Sequence, residues 1–182
     1  MLHDLVQQGK VRYIGCSNLP ATALAAAQDI ARARGLAAFV CCQDEYSLLE
    51  RAIEQDLLPA IKARGLGLLP YFPLASGLLT GKYARGAPLP PGSRLARNTA
   101  HAADVITERN WRVVEALSDF SARQGRSLIE LAFGWLLSHP EVTSVIAGAT
   151  SPEQVEANVR AAGWQLSAGE LAEVDRTTNA AG

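Results

Sequence analysis

Short apolar runs alternate with helix-forming segments four times along this chain, and that alternation limits its fold more than any other feature. Residues 2–8 read as the end of a helix closed by Gly9, and 11–15 as a strand running into the polar loop Cys16-Ser17-Asn18. Pro20 opens an Ala-rich helix over 20–34, with Arg32 and Arg34 before Gly35. A second strand over 37–42 ends at Gln43, Glu45 and Tyr46, and a helix over 50–64 ends at Arg64-Gly65. The third strand, 66–70, stops at Pro70. Residues 84–104 form a long loop rich in Gly, Pro and Ala, of the kind that is functional or disordered in compact domains. Helices over 105–124 and 127–138 lead to a fourth strand at 142–147. Ser151-Pro152-Glu153 then starts a helix to 161, with an N-cap, a first-turn proline and an acid. A last helix, opened by Ser167, covers 168–178.

Strands buried on both faces and separated by helices predict a parallel sheet wrapped in helices, as one domain. Two architectures fit. An open doubly wound sheet would carry a GxGxxG turn, which the sequence lacks. A (β/α)8 barrel would carry polar residues after every strand on one face, as Ser17-Asn18, Gln43, 71–82 and 148–154 do. Four units supply only half a barrel.

The richest of these strand ends is Leu69–Tyr83, LPYFPLASGLLTGKY. Its small residues let backbone N–H groups approach a phosphate, and Lys82 can neutralise one. An ordinary β-to-α loop with a surface lysine has the same composition. A triphosphate P-loop is excluded: one residue is missing between Gly77 and Gly81, and Tyr83 stands where a Ser or Thr would hold magnesium. With 48% apolar residues and a net charge of −1 over 182 residues, the chain reads as globular. Neither nucleic acid nor a membrane is expected as a partner, because no basic patch, span-length apolar run or signal segment is present. Cys16, Cys41 and Cys42 cannot all pair, which favours buried thiols in a reducing cytoplasm.

Four blocks together resemble the C-terminal half of an aldo-keto reductase: Gly9–Gly15 with Ser17-Asn18; Gln43-Asp44-Glu45-Tyr46-Ser47-Leu48; Tyr71–Tyr83; and Ile146–Gln154 with Asn158. They occur in the family's order and spacing, closest to the bacterial reductases related to potassium-channel β subunits. The resemblance implies an α/β fold comprising strands 5–8 of a (β/α)8 TIM barrel. It also implies an NADP(H)-dependent reductase of aldehydes and ketones, with a small carbonyl substrate. Ser17, Asn18 and Gln43 are expected to hydrogen-bond the nicotinamide carboxamide, for which their combined donors and acceptors suit them. Tyr71 is expected to stack on the nicotinamide ring. Pro73, Leu74, Ser76 and Leu78 match the loop over the pyrophosphate, and Lys82 and Arg94 match cations on cofactor phosphates. Gly148, Ala149, Thr150, Gln154 and Asn158 match the adenosine-phosphate end. Familiar members place a Lys and an Arg around the 2′-phosphate where this chain has Gly148 and Gln154, so NAD(H) stands as the alternative cofactor.

The family's Asp, Tyr, Lys and His catalytic group belongs to the four preceding strand–helix units. The expectation is a truncated chain holding cofactor but no proton donor for the alkoxide formed by hydride transfer, and so no catalytic residues. His3, His101 and His139 match none of the four and read as structural or solvent-facing. Three outcomes follow: a truncated reductase, a half barrel that self-associates or pairs with a partner half, or a non-catalytic regulatory dinucleotide module. Substrate choice would lie partly in 84–104 and in the tail 178–182.

Overall fold

A computed structural model describes residues 1–179. Three parallel strands form the sheet, β1 (Ile14–Ser17), β2 (Phe39–Glu45) and β3 (Gly67–Tyr71), in the order β1-β2-β3. Helix α1 (Leu2–Gln7) precedes them, and α2 (Ala21–Ala33) crosses from β1 to β2. A 3₁₀ turn (Ala52–Glu54) and α3 (Leu57–Ala63) connect β2 to β3. Short loops and intervening helices are what parallel pairing requires.

Burial alternates along β1, β3 and the Cys41–Glu45 end of β2, so at that end the sheet is covered on one face only, contrary to the two-sided burial expected from sequence. Cys16, Cys42 and Leu68 lie side by side on the covered face, with Asp44 and Pro70 one step further along. Gly15, Ser17 and Gln43 are exposed on the other face, where Cys41, Glu45, Leu69 and Tyr71 are half-buried. The apolar runs are real, but the helices of residues 1–179 pack against only one side. Cys16 and Cys42 are in contact, Sγ to Sγ 3.4 Å, and burial pushes both thiols up.

The expected fourth strand forms no ladder. Val142 makes a single parallel bridge to Leu68, whose N–H donates to Glu141 O at 2.7 Å and whose carbonyl accepts from Thr143 N at 3.0 Å. The next β3 residue facing this neighbour is Pro70, which has no N–H to give. Its carbonyl instead accepts from Ile146 N at 3.0 Å, and pairing lapses there. Residues 142–147 thus run beside β3 without becoming a strand.

The segment 84–104 is also more ordered than its composition suggests. Ser93 caps α4 (Arg94–Arg97) and Asn98 caps α5 (Thr99–Val105), and both helices pack on the 3₁₀ turn Ala75–Thr80. The core continues through α6 (Glu108–Arg123) and α7 (Leu128–Leu137), the latter opened by a Ser127–Glu130 capping box. Gly134 of α7 lies so close to the following chain that a Cβ there would sit 2.5 Å from the Trp164 carbonyl oxygen. Helices α8 (Pro152–Ala161) and α9 (Ala168–Asn179) complete the layer. Of the tail, Thr178 and Asn179 end α9, and 180–182 lie outside the described residues.

Arg51 anchors α9. Its guanidinium binds Glu54 through Nε at 2.8 Å and Nη2 at 2.9 Å, donates to Asp175 at 2.8 Å and Thr178 at 2.6 Å, and lies 4.9 Å over the Trp135 ring. Tyr46 donates to Glu54 at 2.7 Å and meets His139 Nε2 at 3.0 Å; burial first, then Glu54, push its phenol up. His139 is therefore structural. So is His3, whose Nδ1 accepts from Ala37 N at 3.0 Å. Among the described residues, no helix is long and apolar enough to cross a membrane.

Candidate functional site

The carboxyl ends of the three strands bring Ser17, Asn18, Gln43 and Tyr71 together on the open face. Ser17 pairs with Gln43 across β1 and β2, and Glu45 with Tyr71 across β2 and β3. Asn18 sits at φ +56°, a left-handed geometry that Asn tolerates, and its amide is tied on both sides. Its Nδ2 donates to Ser17 Oγ at 2.9 Å, and its Oδ1 accepts from Tyr71 OH at 2.8 Å. The Ser17 hydroxyl proton and the whole Gln43 amide stay uncommitted among the described residues. The arrangement offers one hydroxyl donor and one amide beside an accessible aromatic ring.

Two carboxyls underlie this group. Asp44 is only 5% exposed and accepts from Asn18 N at 3.0 Å; burial raises its pKa, partly offset by that bond. Glu45 is raised by burial and by Glu50, and partly lowered by His101. Tyr71 is raised by partial burial, then by Glu45 and Asp44, so its phenol stays protonated as a hydrogen-bond donor. Sequence reasoning gave Asp44 no role; its place between a Gln and a Glu on a strand was the available signal, since alternation turns it inward.

The chain after β3 makes a tight turn in left-handed geometry. Phe72, Ala75, Ser76 and Gly77 have φ of +52°, +44°, +56° and +96°. Pro73 and Leu78 are buried and Leu74 packs on the core, so these three hold the turn from within. Ser76 is 6% exposed and its Oγ lies 2.7 Å from His101 Nε2. Gly77 favours glycine through its φ of +96°, and the Lys82 side chain folds back across the turn beside it and over the Tyr83 ring at 5.0 Å. Arg94 covers the Phe72 ring at 4.5 Å. Both cations are exposed beside a turn of small residues. His101 is half-buried, and its contact with Ser76 has no sequence signal, because 25 residues separate them.

The last block follows the end of β3, through the bond from Ile146 N to Pro70 O. Gln154 Oε1 accepts from Thr150 N at 2.8 Å and Thr150 Oγ1 at 3.2 Å, and Gln154 N donates to Ser151 Oγ at 3.4 Å. Gly148 is exposed, with nothing within 4 Å of where a Cβ would stand. Asn158 and Ala149 line a groove of about 400 Å³ between α7, residues 143–149 and α8.

A parallel α/β sheet with polar residues gathered at the carboxyl ends of its strands is the arrangement of ligand-binding α/β proteins. The profile of the Aldo/keto reductase family matches residues 1–179, and the chain belongs to that family. It is 36% identical over 162 residues to "Probable voltage-gated potassium channel subunit beta" of Oryza sativa subsp. japonica, covering 86% of this chain and 48% of that protein. It is 37% identical over 156 residues to "Uncharacterized oxidoreductase YrpG" of Bacillus subtilis (strain 168), covering 86% and 45%. To "L-glyceraldehyde 3-phosphate reductase" of Escherichia coli (strain K12) it is 33% identical over 181 residues, covering 96% and 51%. The chain thus spans about half the length of these relatives.

Proposed function

We propose that these residues form the cofactor-binding half of an NADP(H)-dependent aldo-keto reductase acting on a small aldehyde or ketone. The observation that carries this reading is the hydrogen-bonded group Ser17–Asn18–Tyr71 beside the free Gln43 amide. Its donor set fits a carboxamide and an aromatic ring, and the turn with Lys82 and Arg94 fits a diphosphate. The bound dinucleotide would supply the hydride. Ser17 and Gln43 would orient the carboxamide, and Tyr71, fixed by Asn18, would set which ring face is turned outward. Lys82 and Arg94 would neutralise phosphate, with Ser76 in the turn beside it and Pro73, Leu74 and Leu78 holding that turn's shape. Gly148, Thr150, Gln154 and Asn158 would receive the adenosine end, and the lack of a cation there leaves NAD(H) as the alternative. The Asp/Tyr/Lys/His proton-transfer group would come from residues outside these 182, in the other half of a (β/α)8 barrel.

The test is an NADPH titration of the purified chain, read by quenching of Trp111, Trp135 and Trp164 emission. Saturable quenching is expected, with affinity reduced about tenfold by Lys82→Ala, the order expected for one charge-assisted contact. No saturation would sink the reading. The bare sheet face and the unpaired outer edge of β1 favour a second one, a dinucleotide-binding half barrel that pairs with another half without catalysing by itself. Carbonyl reduction by the pure chain would overturn it.

A further inference from the structure

The turn at 75–77 is strained, and something must hold it. Ala75 and Ser76 carry a Cβ at φ +44° and +56°, a geometry that persists only where surrounding contacts impose it. Ser76 Oγ has one side-chain partner among the described residues, His101 Nε2 at 2.7 Å. The backbone of His101 is itself fixed, since its main-chain N–H donates to Asn98 Oδ1 at 3.1 Å at the start of α5, and its ring lies 6.1 Å from Phe72. A serine hydroxyl has one proton and two acceptor sites. Were that proton given to His101, Ser76 would present only lone pairs to a phosphate and repel it.

We infer that His101 is a positioning residue of the anion-binding turn: its Nε2–H donates to Ser76 Oγ and thereby directs the Ser76 hydroxyl proton to the anion. The inference rests on the dinucleotide reading for the identity of the anion, and on the geometry of the turn for the rest. It gives the segment 84–104 a definite task, because α5 delivers the ring that presets the turn before any ligand arrives.

Long-range proton–nitrogen spectra of the 182-residue chain read the tautomer directly: the proton is expected on Nε2, and a neutral His101 protonated on Nδ1 would overturn the inference. His101→Gln places an amide donor near the Nε2 position, whereas His101→Leu removes the donor and keeps the bulk. NADPH affinity is expected to fall about tenfold in His101→Leu and to stay within about twofold in His101→Gln, as for loss of one hydrogen bond to a charged group. Equal affinity of His101→Leu and the unaltered chain, or equal loss in both variants, would overturn it. Amide exchange at Ser76 and Gly77 without NADPH is expected to speed up only in His101→Leu; no change would overturn the presetting of the turn by His101. If the unaltered chain binds no NADPH, the dinucleotide reading falls, while the tautomer and exchange results still decide what His101 does.

Discussion

A carboxyl buried beneath a backbone amide makes stability depend on acidity in a direction that can be stated for Asp44. Burial raises its pKa, so the folded chain holds that proton more tightly than the unfolded one. Ionised Asp44 therefore costs stability above the raised value, and the cost fades as pH falls toward the ordinary 3.8. Asn keeps an acceptor for Asn18 N without the charge. Asp44→Asn should unfold at a higher temperature than the unaltered chain at pH 7, with the gap closing on acidification; a lower midpoint at pH 7 would contradict the burial argument. At this scale the sequence was readable where chemistry is local. Ser17, Asn18, Gln43 and Tyr71 stand at strand ends and were found as such. The Ser76–His101 contact was not, because it depends on how α5 lies across the turn.

Elements are decided by close approaches and by single missing donors. Helix propensity favours Ala over Gly by about 1 kcal/mol, but a Cβ on Gly134 would meet the Trp164 carbonyl at 2.5 Å and Leu166 Cδ1 at 2.6 Å. Overpacking of that kind costs about 1–3 kcal/mol, and a backbone carbonyl cannot swing aside, so the clash outweighs the propensity. Gly134→Ala should lower the urea midpoint, and a rise would show that 164–166 yields freely. Among the described residues, Arg51→Leu would leave Glu54 with only Tyr46 OH, Asp175 with only Trp135 Nε1, and α9 without its cation. A loss of about 2 kcal/mol in urea unfolding is expected, with faster proteolysis within α9; unchanged cleavage there would mean that packing alone holds the helix. The helices were readable from their caps, as Ser127–Glu130 and Ser151-Pro152 illustrate. Residues 142–147 read like the other strands, and the missing N–H of Pro70, on a neighbour 72 or more positions away, removes a bond that a ladder there would need.

For the whole molecule, the alternation of strand and helix correctly specified a parallel α/β sheet, but apolar runs could not say which faces would find cover. Tyr13 is 75% exposed before β1, and Val159 is 71% exposed on α8 beside the groove of Asn158. The outer edge of β1, unpaired among the described residues, and these exposed apolar side chains favour association. Light scattering on an eluting column should give a mass rising above 19.4 kDa with concentration, and Val159→Lys should suppress the rise. A constant 19.4 kDa mass at every concentration would sink that expectation.

The three cysteines divide between the two sides of the sheet: Cys16 and Cys42 face the helices, and half-buried Cys41 faces the open side with Gln43 and Glu45. Nature has thus installed a chemical footprinting reagent's target on one surface and a buried internal control, Cys42, beneath the other. Alkylation should leave buried Cys42 untouched until the chain unfolds, and its rate at Cys41 should slow sharply once anything settles over the open side, so that a single mass spectrum counts how often that side is occupied.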